Sequence, residues 1–126
     1  MSKTLEYKSI LPKIFSLRCW AKNVDSEYLK SRFNQLLSDT GFTVLNFSEH
    51  HFPVQGYTSI WLLAESHLAI HTFPQNGWSY VELSGCNEEK TLQFKKLLKE
   101  TNLEISFEED KMAVSHPENN NTKSIK

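Results

Sequence analysis

Only two cysteines, Cys19 and Cys86, occur in the 126 residues. That is too few to staple a domain that has chain enough to build its own core. An excess of basic charge is also missing: 14 Lys and Arg stand against 15 Asp and Glu, for a formal net charge of -1. Nucleic acid is therefore not an expected partner, because its binding relies on a strongly basic surface that displaces counterions. Apolar runs are short. The longest, from Ile60 to Ala64, is strand-sized and far below the roughly 20 residues of a membrane-crossing helix. No membrane partner is expected. The opening residues, Met1 to Lys8, have no apolar segment of a signal peptide, so the expected location is cytoplasmic. There are no internal repeats. What is left, 39% hydrophobic and 23% charged, is the composition of one ordinary globular domain.

Periodicity orders that domain. Phe15, Leu17, Cys19 and Ala21 alternate along residues 14–21, as on one face of a strand. Asp25 stands where a helix N-cap belongs, and Leu29, Phe33, Leu36 and Leu37 follow at the spacing of a buried helical stripe. Gly41 is placed to end that helix. A strand over Phe42 to Phe47 follows, and Ser48 to Gly56, which shows no period, reads as a loop. Thr58 to Glu65 and His67 to Phe73 read as extended, Pro74 to Gly77 as a turn, and Trp78 to Gly85 as the returning strand. A second helix is expected from Glu88 to Thr101 behind an Asn87 cap, with Leu92, Phe94, Leu97 and Leu98 on or near its buried side. Leu103, Ile105 and Phe107 alternate with Glu104, Ser106 and Glu108 in a last strand.

The order predicts an α+β fold: a two-layer sandwich of a mainly antiparallel sheet with two helices on one face. Trp20, Trp61 and Trp78 are expected in the core or an interface. The uncovered second face is expected to pack in a dimer with a second copy. Residues 1–110 would form the single domain, and the polar residues 111–126 a disordered tail.

Taken alone, the chemically able residues have ordinary readings. Ser66 suits a turn between strands, Cys86 a small buried position, and Phe52 a cover over the core. His50, His51, His67 and His71 suggest a metal, but His67 and His71 lie two pleats apart and no Asp or Cys completes a set, so no metal is expected.

The string Ala64-Glu-Ser-His-Leu-Ala-Ile-His-Thr-Phe-Pro74, with Cys86 one strand later, resembles the processing region of the small prokaryotic S-adenosylmethionine decarboxylases. That family's pattern is Glu-Ser-His, three residues, His-Thr-aromatic-Pro, and a Cys closing the next strand. Glu65, Ser66, His67, His71, Thr72, Phe73, Pro74 and Cys86 match it without gaps. A weaker resemblance runs from Phe15 to Glu108.

The resemblance implies a proenzyme that cuts itself between Glu65 and Ser66. Ser66 would attack the Glu65 carbonyl and end as a pyruvoyl group, the cofactor, which condenses with the substrate amine and takes up the electrons of decarboxylation. His71 would move the proton in processing, Thr58 would steady the oxyanion, and Cys86 would protonate the substrate carbon after processing, not during it. Phe52 and Phe73 would clamp adenine. Gln75 stands where the family has an acidic residue for the ribose hydroxyls, Phe73 where it has Trp, and Leu11-Pro-Lys13 where it often has Gly-x-His. Ser66 and His71 are five apart, so an uninterrupted strand points them to opposite faces; a bend near the cleavage site is expected to unite them. The implied activity is decarboxylation of S-adenosylmethionine, a small-molecule substrate, for spermidine synthesis by a homodimer of processed two-chain units. Two alternatives stay open: the same machinery acting on ornithine or arginine, and an unprocessed regulatory or binding homologue.

Overall fold

The computed structural model of the protein describes residues 13–108. The expected tail over 111–126, and Leu11 and Pro12 of the amino-terminal departure, lie outside the described residues. The elements are β1 (Phe15–Ala21), α1 (Ser26–Asp39), β2 (Val44–Phe52), β3 (Gly56–Leu63), β4 (Ser66–Phe73), β5 (Trp78–Gly85), α2 (Glu88–Lys99) and β6 (Ile105–Phe107). All six strands join one sheet in the order β2-β3-β4-β5-β1-β6, and every neighbouring pair is antiparallel.

Local chemistry sets the helices. Asp25 caps α1 by accepting from the Glu27 and Tyr28 amides at 3.0 and 3.1 Å. Gly41 ends the run with φ +80°, a conformation that costs a side-chain-bearing residue energy. Asn87 caps α2 by accepting from the Lys90 amide at 2.9 Å. The stripe of Leu29, Phe33, Leu36 and Leu37 is buried, as are Phe94 and Leu98 of α2. They close over Leu17 and Cys19 of β1, Trp61 and Leu63 of β3, Leu68 and Ile70 of β4, and Val81 and Leu83 of β5. Each such side chain contributes about 1.5–3 kcal/mol by leaving water. Trp61 is fully buried and gives its indole N–H to Asn34 at 2.7 Å.

Three expectations need correction. Residues 48–52 are not loop: β2 runs on through Glu49, His50 and His51 to Phe52, so Phe52 ends a strand and lies 40% exposed, with no cover over the core. As an edge strand exposed along most of its length, β2 has no burial alternation to print a period on its sequence. The second helix stops at Lys99 rather than Thr101, with Glu100 as its C-cap. Leu92 is 59% exposed on the outer side of that helix.

The alternation of β3, β4 and β5 sorts their residues between the helix-covered face and a second face left uncovered by the described residues. Leu68, Ile70 and Thr72 point to the helices; His67, Ala69, His71 and Phe73 point away. Trp20 belongs to the uncovered face too, yet it is 5% exposed because Phe73 and Tyr80 pack on it at 5.8 and 5.3 Å between ring centroids.

Candidate active site

The residues singled out by sequence fall into three groups. The first gathers at the β3–β4 hairpin. Leu63 pairs with Ser66, leaving Ala64 and Glu65 as a two-residue turn. Glu65 has φ +64°, and it is the one described non-glycine residue with positive φ. A left-handed conformation costs such a residue about 1–2 kcal/mol, so the backbone of Glu65, the residue just before the Glu65–Ser66 peptide bond, carries strain. Ser66 Oγ is buried and has no hydrogen-bond partner among the described residues. Across the ladder Ser66 faces Gly85, where a Cβ would stand 2.9 Å from Ser66 Cβ. A glycine there lets β5 approach the serine. The next residue, Cys86, turns its thiol back and donates to the Glu65 carbonyl at 3.5 Å. A cavity of about 60 Å³ adjoins these groups, lined by Phe42, Ala64, Glu65, Ser66, Cys86, Asn87 and Lys90.

Cys86 is exposed, unlike the small buried residue its type suggests, while Cys19 is buried. Burial pushes the Cys19 thiol up to about 12, which keeps it protonated and inert.

The second group lies on the uncovered face. Thr58 and His71 are cross-strand partners, and Thr58 Oγ1 stands 3.1 Å from His71 Nδ1. On its other side His71 stacks on Tyr80, with centroids 6.3 Å apart and planes 14° from parallel. Burial, and then the neighbouring Glu82 carboxylate, pushes the Tyr80 phenol up to about 12; the phenol donates to Glu82 at 3.2 Å. Tyr80 escapes a motif search, but pairing Phe73 with Trp78 across the turn places it opposite His71 by counting.

The expected bend is not there. β4 runs unbroken from Ser66 to Phe73, so the Ser66 and His71 side chains leave opposite faces. They are also separated by five residues along the strand, roughly 16 Å. Within one subunit the structure unites Ser66, Glu65 and Cys86, and separately Thr58 and His71, but does not bring the two groups together.

The third group is at the far end of the uncovered face. Phe52 pairs with Gly56, whose backbone so closely approaches β4 that a Cβ would meet the Thr72 carbonyl oxygen at 2.6 Å. Phe52 and Phe73 therefore share one corner, half-exposed, on strands two spacings or roughly 10 Å apart. Phe52 is braced by His50 at 4.5 Å, and Phe73 by Trp20. Gln75 is exposed in the turn that follows. Sequence reading missed Lys90, which lines the hairpin cavity from the first turn of α2; its position four residues after Cys86, one turn past the Asn87 cap, is the signal that could have found it.

The sequence model of the S-adenosylmethionine decarboxylase family matches residues 18–114. An S-adenosylmethionine decarboxylase proenzyme of Prochlorococcus marinus is 41% identical over 69 residues, 55% of either chain. That of Thermosipho melanesiensis is 31% identical over 84 residues, 63% of this chain and 65% of its own. The chain spans about half the length of several curated relatives that it matches. The crystal structure of the adenosylmethionine decarboxylase from Aquifex aeolicus superimposes with a TM-score of 0.56 at 19% identity, covering 85% of this chain and 99% of that one. It supports the fold. With the family pattern matched across three quarters of this chain, and with Ser66 and Cys86 gathered beside a left-handed Glu65, the chain belongs to the S-adenosylmethionine decarboxylase family.

Proposed function

We propose that the protein is a proenzyme that cuts itself between Glu65 and Ser66 and then decarboxylates S-adenosylmethionine, yielding the aminopropyl donor for spermidine synthesis. The observation that carries this reading is the hairpin itself: an unpartnered, buried Ser66 hydroxyl follows a left-handed Glu65 whose carbonyl accepts from the Cys86 thiol. A buried hydroxyl without a partner is costly, and here it borders the bond it would attack.

In processing, Ser66 Oγ adds to the Glu65 carbonyl carbon while the Cys86 S–H steadies the developing oxyanion. The C–N bond breaks and an ester replaces the amide. Loss of the Ser66 α-proton then expels the Glu65 carboxylate and leaves dehydroalanine, which takes up water, releases ammonia and becomes a pyruvoyl group. That group supplies the carbonyl electron sink for decarboxylation. Cys86, already at the cleavage point, holds the proton that is returned to the substrate carbon at Sγ. Its contact with the Glu65 carbonyl gives it a place during processing as well as after it.

Thr58 and His71 lie beyond reach of their own subunit's Ser66. The uncovered face carrying them also presents Ile60 and Leu62, 45% and 51% exposed. We read this face as the homodimer surface. Thr58 and His71 are the proton-transfer pair for processing, and they meet Ser66 when the Ser66 end of β4 leaves the ladder and turns from the helix-facing side toward this face. Phe52 and Phe73 leave the same face from strands roughly 10 Å apart, with a glycine between them, which supports an adenine slot.

Intact mass is the first test. Wild type should appear as two chains, 1–65 and 66–126, the second lacking a free amino terminus, and Ser66→Ala as one. Wild type that stays whole overturns the proposal in favour of a regulatory homologue. Carbon dioxide release from S-adenosylmethionine, ornithine and arginine, assayed in parallel, then decides the substrate. Release from ornithine or arginine alone keeps the pyruvoyl mechanism and replaces the substrate.

A further inference from the structure

Self-cleavage, on the reading above, does more than make a pyruvoyl group. It converts the neutral Glu65 peptide into a chain end. The net change is one water consumed, one ammonia released, and a carboxylate left at Glu65, its proton taken up by the ammonia. Before processing the Glu65 carbonyl has one recorded donor, the Cys86 thiol at 3.5 Å, and a thiol is a weak donor. A carboxylate formed in the same place sets a full negative charge beside a small, partly open cavity, where a neighbouring cation would be drawn to it.

One cation lines that cavity. Lys90 projects from the first turn of α2 and, among the described residues, makes no ion pair; both recorded ion pairs belong to Lys30. Its amide is bound by the Asn87 cap at 2.9 Å, which fixes where the stem begins. Its ammonium lies over the Phe42 ring at 5.6 Å, and its Cε passes 3.8 Å from where a Cβ on Gly41 would be. The side chain is thus partly buried and held beside the hairpin by aromatic and apolar packing, with no anion assigned to it. Glu88 and Glu89 in the same turn are exposed and do not line the cavity.

We propose that Lys90 is the counter-ion of the carboxylate that self-cleavage creates at Glu65, and that it holds the new chain end against α2 in the processed protein. Lys90 is a positioning residue in this role: it keeps the cut hairpin from opening, so that Cys86 stays beside the group made from Ser66. The role exists only after cleavage, and this makes it separable from ordinary packing.

The test puts Lys90→Met and Lys90→Arg into two backgrounds, the wild-type sequence and uncut Ser66→Ala. Intact mass comes first. Thermal midpoints should then fall by about 5 °C for Lys90→Met in the cleaved protein and by about 1 °C or less in the uncut one, with Lys90→Arg restoring the cleaved form. Carboxypeptidase gives an independent readout on any soluble variant: the Glu65 end should resist trimming in wild type and Lys90→Arg, and be trimmed at least several-fold faster in Lys90→Met. Equal midpoint losses in both backgrounds, or equal trimming of all variants, would leave Lys90 a packing residue over Phe42 and overturn the inference alone. Absence of cleavage in the wild-type sequence overturns it together with the proposed function.

Discussion

Gly85→Ala is the sharpest perturbation of the hairpin, because its effect is calculable from one contact. The added Cβ would stand 2.9 Å from Ser66 Cβ and 3.5 Å from Ser66 Oγ. Carbon atoms pack at about 3.5–4.0 Å, so the two strands must part by roughly 1 Å at this pair. Neither atom is the free end of a long side chain; both are fixed to paired backbones. The displacement therefore falls on the nucleophile itself. A misplacement of about 1 Å costs a positioned reaction around 100-fold, so self-cleavage should slow by about two orders of magnitude. The overpacking itself should cost about 1–3 kcal/mol, measurable by denaturant unfolding of Gly85→Ala in the uncut Ser66→Ala background. Cleavage is followed by denaturing electrophoresis after a pulse of cell-free synthesis. Ser84→Ala, one residue away on the uncovered face, serves as the control and should cleave within about two-fold of wild type, since Ser84 pairs with His67 and its side chain leaves the face opposite to that of Ser66. A Gly85→Ala chain that folds and cleaves at the wild-type rate would refute the placement of Ser66 against Gly85 as the determinant of the attack geometry.

Four further outcomes are expected. Cys86→Ala should cleave about five-fold more slowly, the worth of one modest hydrogen bond, and lose turnover, whereas Cys86→Ser should keep cleavage; wild-type cleavage in Cys86→Ala would confine the thiol to the later step. Co-expressed Ser66→Ala and His71→Ala chains should leave the His71→Ala chain whole in their mixed dimer, because a partner on the uncovered face stands no nearer to the helix-facing Ser66; cutting of that chain would show that His71 acts across the interface. The Glu49 carboxyl is held below the usual carboxylate range, first by the hydrogen bond from Tyr57 and then by Lys30, so its contribution to stability is present above the ordinary Glu value and lost as pH falls through the folded value; Tyr57→Phe should raise the Glu49 midpoint seen by NMR and make that acid-side loss shallower, and an unmoved midpoint counts against it. Gln75→Glu should lower the KM for S-adenosylmethionine several-fold, since a carboxylate accepts from both ribose hydroxyls with charge assistance and an amide oxygen does not; an unchanged KM places the ribose elsewhere.

How much of this was legible beforehand follows from which surfaces are buried. The α1 stripe, the Asp25 and Asn87 caps and the alternation of β4 and β5 each face the core on one side, and burial on one side is what writes a period into sequence. β2 escaped because its second half faces solvent and its outer edge has no paired strand among the described residues, so Glu49, His50 and His51 satisfy a strand without alternating. Leu92 misled in the opposite way: it follows the apolar count of its helix, but α2 packs on the sheet through Thr91, Phe94 and Leu98, and Leu92 falls outside that arc. Lys90 was illegible for a different reason. The cavity it lines is closed by three segments, around Phe42, Ala64 to Ser66, and Cys86 to Lys90, and only tertiary structure reveals that they meet.

The compact string from Glu65 to Pro74 carries a more general point about sequence motifs on strands. Nearness in sequence suggests nearness in space, and on a loop or a helix turn it often means that. On β4 the two-residue period divides the same string between two environments. Ser66 belongs with Leu68, Ile70 and Thr72, the residues that face the helices, and it shares the strand end with Cys86. His71 belongs with His67, Ala69 and Phe73 on the face that no helix covers. Parity alone separates the attacking hydroxyl from the imidazole, whatever the twist of the sheet, and only a bulge or a break would undo it. The hydrogen-bonded register on both sides of β4 runs without slip from Ser66 to His71, which excludes both. A sheet in this register therefore holds the parts of the processing chemistry in order while keeping them apart. A second copy on the uncovered face would meet His71, Thr58, Ile60 and Leu62 but not Ser66, so uniting hydroxyl and imidazole requires the Ser66 end of β4, beside the left-handed Glu65, to leave the ladder.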